Sequence, residues 1–214
     1  MIAVVHGFGP FGEHAVNPSE LLVQSLAARG EPGLVTEVLP VSGQRVAQAV
    51  PELMRRHRPD LWLGVGLAAG RTALSIEAVA VNLRHWLGDE ADTDGVTVDR
   101  QPVAKDGPAA YLTTVPVEAI LGAWKEAGIP GYVSQTAGSY LCNMSFYTAA
   151  HTAGELGLSC MVGFLHVPLL PELVAAPERQ PSMARALQAS GLDLVIDACR
   201  TASDEAGLYL GRTA

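Results

Sequence analysis

Two spacings of apolar residues alternate along this chain. Short apolar runs have the length and composition of buried strands: "MIAVV" at 1–5, "LVTEVLPV" at 34–41, "LWLGVGLAAG" at 61–70, "LSIEAVAVN" at 74–82 and "SCMVGFLHVP" at 159–168. Between them lie stretches with helical spacing. "GQRVAQAVPELMRRHRP" at 43–59 repeats Val46, Val50, Leu53 and Met54 on one face and stops before Pro59. "NPSELLVQSLAARG" at 17–30 offers Asn17 as a cap and Pro18 as an early helical residue. "VEAILGAWKEAG" closes at Gly128, and "GYVSQTAGSYLCNMSFYTAAHTAGELG" reads as strand, turn and long helix. "PSMARALQASGLDLVIDACRTASDE" is a helix near the C-terminus. Strands alternating with helices predict an α/β layer fold around a mostly parallel twisted sheet, with functional groups where strands end. Residues 84–115 are polar, contain Gly and Pro, and match neither period. A loop that long in a compact domain is usually functional or mobile.

The opening stretch "VVHGFGPFGE" contains Gly7, Gly9 and Gly12 at the G-x-G-x-x-G spacing of a dinucleotide site. That motif works only when a helix begins inside the glycine run and receives the pyrophosphate. Here the better helix start is Asn17-Pro18, and Glu37, the nearest acidic candidate for a ribose, is late and inside a strand. The glycines therefore predict a tight loop presenting Phe8 and Phe11 rather than a phosphate cradle.

Composition narrows the field. With 49% apolar and 17% charged residues in 214, the chain can bury a sizeable core as a single domain spanning 1–214. A net charge of −8 argues against nucleic acid or an anionic membrane as partner. There is no 18-residue apolar run and no signal-peptide pattern, so a cytoplasmic protein is expected. Three irregularly spaced cysteines form neither a disulfide framework nor a zinc pattern.

The cysteines differ in setting. Cys160 falls within an apolar strand pattern and Cys199 on the apolar stripe of the last helix, both positions of inert packing. Cys142 follows the turn "TAGSYL" at the start of a helix. There the macrodipole and free N–H groups are expected to lower a thiol's pKa and could hold an oxyanion; a small residue filling a tight turn is the bland alternative. Of six histidines, His57 lies among arginines as a surface residue. His6, His14 and His85 are placed in loops or at loop edges, and His151 is two and a half turns beyond Cys142 on one helix. His166 alone sits at the end of an apolar strand. Glu77 interrupts the apolar "ALSIEAVAVN", which is costly unless it is paired. It could be salt-bridged to Arg71, or it could orient an imidazole. Cys142, His166 and Glu77 thus make a plausible thiol-hydrolase triad, although sequence separation leaves their meeting open.

The segments "GFGPFGEHAVNPS", "GLAAGR", "IEAVAVN", "SQTAGSYLCN" and "GFLHVPLLPE" occur in the order and at about the spacing of pyroglutamyl peptidase I, the pyrrolidone-carboxylate peptidases. The chain resembles that family from Gly7 to about Glu172. The resemblance implies Cys142 as nucleophile, His166 as base and Glu77 as triad carboxylate. It puts Phe8 and Phe11 on the pyrrolidone ring, with Asn17, Leu67, Tyr140 and Leu141 at the same pocket. It further implies a three-layer α/β/α sandwich and a cytosolic exopeptidase without metal or other cofactor. The substrates would be small N-blocked peptides, and the assembly a homodimer or homotetramer. The chain departs from the pattern at Leu67 and Leu173, where the family has Gln, and at Ala78, where it has Arg. An arginine several residues after Asn82 is replaced by "LRHWLGDEADTDG", with Arg84 close but not aligned and an apparent small insertion. These departures, together with Leu87, keep two alternatives in view: a thiol amidase acting on another small lactam or amide, and a non-catalytic binder of N-blocked peptides.

Overall fold

The computed structural model describes residues 1–12, 15–86, 91–174 and 180–211, with side chains described through 205. His14 and Leu87 lie outside the described residues. Six strands form the main sheet in the order β2-β1-β3-β10-β4-β9. They are β1 (Ala3–Phe8), β2 (Leu34–Leu39), β3 (Leu61–Leu67), β4 (Leu74–Glu77), β9 (Gly131–Ser134) and β10 (Met161–Val167). All neighbours run parallel except β10 and β4, so β4 and β9 oppose the other four strands.

The apolar runs are continuous because helices cover both faces of the sheet. Helices α1 (Pro18–Ala27), α3 (Val117–Glu126) and α5 (Arg185–Gly211) pack on one face, where Leu22, Ile120, Trp124 and Leu192 meet Leu63 and Leu74. On the other, α2 (Gly43–His57) and α4 (Leu141–Glu155) bring Val46, Val50, Met144 and Phe146 against Val4, Trp62 and Phe164. The result is the expected three-layer α/β/α arrangement.

The helix ends follow their local chemistry. Asn17 caps α1 by accepting from the Ser19 N–H with Pro18 in the first turn, and Ser42 caps α2 by accepting from the Arg45 N–H. No helix begins in the glycine run. Gly7, the penultimate residue of β1, lies under the start of α1, where a Cβ would stand 2.6 Å from the Ser19 carbonyl oxygen. Its role is close backbone approach.

Several local expectations change. The run at 74–82 divides at Ala78. β4 joins the main sheet, whereas β5 (Val79–Val81) turns away to pair with β8 (Ala110–Leu112). Residues 84–115 also hold β6 (Arg84–Trp86), which pairs with β7 (Val98–Gln101). These strands are too short to show a period. His6 lies within β1 and is fully buried rather than at a loop edge, His85 lies in β6, and His57 is half-buried at the end of α2. Cys160 precedes β10 and is half-buried.

Candidate active site

Three strand and helix ends converge at one end of the sheet. Glu77 is the last residue of β4, His166 the penultimate residue of β10, and Cys142 the second residue of α4. β10 and β4 are hydrogen-bonded neighbours, with His166 opposite Ser75, and on its other side His166 is in register with Gly66 of β3. Gly66 makes room for the thiol: a Cβ there would lie 2.8 Å from Cys142 Sγ and 3.0 Å from the Phe164 ring. His166 and Glu77, 89 positions apart, are thus brought together by the pairing of β10 with β4.

His166 Nδ1 is 2.7 Å from Glu77 Oε1. An ionised carboxylate can only accept, so Nδ1 carries the proton and Nε2 keeps its lone pair. The same oxygen accepts from Arg71 NH1 at 2.7 Å. The two readings of Glu77 left open by sequence are therefore both realised. Glu77 and His166 are buried, and Phe164 packs on the His166 ring with centroids 4.9 Å apart.

Cys142 and His166 line one cavity of about 170 Å³ together with Phe8, Phe11, Asn17, Leu67, Tyr140 and Leu141, and with Val41 and Ala137. Its walls are mainly apolar side chains. Asn17 uses its amide internally: Nδ2 donates to the Gly9 carbonyl at 2.9 Å, and Oδ1 accepts from the Ser19 N–H and hydroxyl. It therefore fixes the glycine loop. Ser19, which sequence reasoning missed, completes that clasp, its hydroxyl accepting from the Phe8 N–H at 3.0 Å. Trp86 backs Tyr140 edge-on at 5.2 Å, and Thr93 holds the Val41 carbonyl through both its N–H and its hydroxyl. Part of the 84–115 excursion thus supports the cavity wall. Asn143 clamps that excursion's root to α4, accepting from the Val81 N–H and donating to the Val81 and Leu83 carbonyls. Its only sequence signal was its place beside Cys142.

Of the departures, Leu67 lines the cavity, whereas Ala78 and Leu173 do not. Arg84 donates to the Pro102 carbonyl at 3.0 Å and to Gln101 Oε1 at 3.2 Å, turned toward β7 rather than the cavity. His151 pairs with the Tyr111 hydroxyl at 2.8 Å, away from Cys142. Among the described residues no group of three or more His, Cys, Asp or Glu could hold a metal ion.

The electrostatics correct one expectation. Burial, then the nearby Glu77 charge, pushes the Cys142 thiol up to about 12; Arg71 and the helix N–H act in the opposite direction but do not prevail. Burial also lowers His166, against the Glu77 contacts that raise it. Burial alone would raise Glu77, but its hydrogen bonds and the His166 interaction hold it below the usual carboxylate range. These directions favour the thiol and the imidazole in their neutral forms and the carboxylate in its charged one.

The family described as pyroglutamyl peptidase matches residues 1–202. A pyrrolidone-carboxylate peptidase of Thermococcus kodakarensis is 38% identical over 197 residues, covering 92% of this chain and 94% of the relative. One from Pyrococcus furiosus is 33% identical over 203 residues, covering 92% and 97%. A solved mutant pyrrolidone carboxyl peptidase from P. furiosus superposes with a TM-score of 0.88 at 32% identity, covering 94% of this chain and 99% of that one. With the fold, the strand-end convergence and these matches in agreement, the chain belongs to the pyroglutamyl peptidase family.

Proposed function

We propose that the protein removes an N-terminal pyroglutamyl residue from peptides, with Cys142 as nucleophile, His166 as general base and acid, and Glu77 as the group that orients the imidazole. The observation that carries this reading is the cavity itself. Both Cys142 and His166 line it, and His166 Nδ1 is fixed at 2.7 Å from a buried carboxylate. His166 Nε2 takes the thiol proton as Sγ bonds to the pyroglutamyl carbonyl carbon. The N–H groups of the first turn of α4, which lacks a side-chain cap, are the candidate oxyanion donors. The imidazolium then gives its proton to the departing amine as the C–N bond breaks, leaving a thioester. Water, deprotonated by His166, attacks that thioester, and the thiol recovers the proton, releasing pyroglutamic acid.

A substrate ring without charge suits a cavity whose walls are mostly apolar, with Phe8 at the end of β1, rather than in the loop expected from sequence, and Phe11 in the loop that follows. Asn17, Leu67, Tyr140 and Leu141 complete the binding surface in this reading. The whole of 1–214 acts as one pyrrolidone-carboxylate peptidase-like domain, consistent with a family match that runs to residue 202. Cytoplasmic location and assembly as a homodimer or homotetramer rest on the family resemblance. Among the described residues no helix is long and apolar enough to cross a membrane.

The test is hydrolysis of a fluorogenic pyroglutamyl amide beside a prolyl amide. Wild type should cleave only the former. Cys142→Ser should lose at least about 10³-fold in kcat, whereas Cys160→Ser and Cys199→Ser should remain active when folded. Turnover of other small lactam amides with none of the pyroglutamyl substrate would favour the amidase alternative, for which Leu67 in the cavity wall is the structural motive. Binding without turnover of any of them would favour the non-catalytic one.

A further inference from the structure

Arg71 is the one arginine among the described residues in contact with the Glu77–His166 pair. It lies in the link between β3 and β4, with about a fifth of its side chain exposed. Its NH1 donates to Glu77 Oε1 and to the Ser75 hydroxyl, and its NH2 to the Thr136 carbonyl at 3.4 Å. The Tyr132 ring of β9 lies 6.0 Å from the guanidinium carbon. Contacts from β4, β9 and the turn before α4 therefore fix its position. The guanidinium and His166 Nδ1 each approach one carboxylate oxygen at 2.7 Å.

We propose that Arg71 is a positioning residue for the Cys142–His166 pair, acting through the carboxylate oxygen it shares with His166 and setting the pH range in which that pair works. The inference rests on the reading of Cys142 and His166 as the reacting groups. Two effects follow from the geometry. A carboxylate oxygen held by Arg71 cannot rotate away from His166, so the imidazole keeps its tautomer and aim. The fixed positive charge, within about 6 Å of the imidazole, opposes its protonation and favours a thiolate at Cys142. Both directions agree with the influence of Arg71 on the two groups. Glu77 acts against it on both, so the pair is poised between two opposite fixed charges. Titratable groups on the packed elements include His6 of β1, neutral beside Phe164, the Tyr132 phenol of β9 and, on α4, Tyr147, His151 and Glu155, of which His151 pairs with the Tyr111 hydroxyl. Among the described residues lining the cavity, the only ionisable one apart from Cys142 and His166 is Tyr140.

The sign is independent of which group governs which limb of the activity profile. Loss of the positive charge raises the pKa of a nearby thiol and of a nearby imidazole alike. Arg71→Gln, which keeps hydrogen-bonding capacity without charge, should therefore move both limbs of the kcat/KM profile to higher pH by about one unit. Arg71→Lys should lower kcat/KM with the limbs close to those of wild type. The same upward movement should appear, without any substrate, in the NMR titration of the His166 imidazole and in the pH dependence of Cys142 alkylation. Those two readouts separate the inference from the proposed reaction. If wild type has no pyroglutamyl activity, that reading fails, and the titrations still decide on Arg71. Limbs and titrations that superpose on wild type in Arg71→Gln, even with reduced activity, would assign Arg71 a purely structural role and overturn the inference. Arg71→Met repeats the test if the glutamine variant does not fold. Failure of both neutral variants to fold, with the lysine variant folded, would overturn it too.

Discussion

At the scale of single residues, the proposed reaction turns on a Cys142 thiol that its surroundings keep from ionising early. A thiol at a helix start gains from the helix N–H groups, yet burial and the Glu77 charge outweigh that gain and push it up to about 12. Burial likewise keeps His166 neutral. In the proposed reaction, proton transfer from Sγ to Nε2 then belongs to the attack itself, assisted by a substrate that displaces water and offers a developing oxyanion to the α4 N–H groups. Alkylation of Cys142 by iodoacetamide, followed by peptide mapping, should rise about tenfold per pH unit between pH 7 and 10. A rate that levels off below pH 7 would show a thiolate–imidazolium pair already formed in the free enzyme and would contradict this account. Cys160 and Cys199 are also pushed up to about 12 by burial, so pKa does not distinguish the three thiols. Position does: only Cys142 faces the cavity.

At the scale of elements, the site depends on how chain segments are tied together behind it. The glycine loop between β1 and α1 is held by Asn17 and Ser19, and Phe8 is fixed by its N–H bond to the Ser19 hydroxyl. Ser19 is fully buried, so Ser19→Ala leaves the Phe8 N–H without its partner. That should cost roughly 1–3 kcal/mol of stability. Because the loop carries the aromatic wall rather than the reacting atoms, KM for the pyroglutamyl amide should rise several-fold more than kcat falls. Thermal unfolding and steady-state kinetics would read the two effects. A drop in kcat at constant KM would mean that the loop serves the chemistry rather than the binding of the ring.

At the scale of the whole molecule, the sheet interior stores an unusual group. His6 is fully buried in β1 among Phe8, Trp62 and Phe164, at ring-centroid distances of 5.2, 5.3 and 6.2 Å. Neither of its ring nitrogens has a hydrogen-bond partner among the described residues. Burial lowers its pKa from 6.5 to about 4. Between those values the unfolded chain binds the proton and the folded one does not. Stability from this group is therefore present above pH 6.5 and is lost as pH falls toward 4, by about 3 kcal/mol. Urea unfolding at pH 7 and pH 4 should show a smaller acid loss in His6→Leu than in wild type. Equal losses would mean that His6 is protonated in the folded state.

Periodicity and cap chemistry in the sequence were enough to determine the layered α/β architecture, the start of α1 at Asn17-Pro18, and the failure of the glycine run as a dinucleotide site. Those features are local, set by spacing, proline geometry and side-chain caps. The short motifs also singled out Cys142, His166 and Glu77. What only the tertiary structure decided is how these groups share an environment. The antiparallel pairing of β10 with β4, the space at Gly66, and one carboxylate oxygen serving both His166 and Arg71 are long-range matters of register. Burial is equally non-local, which is why it pushes up the Cys142 thiol that a helix start was expected to lower, and why a histidine assigned to a loop edge lies buried inside the sheet.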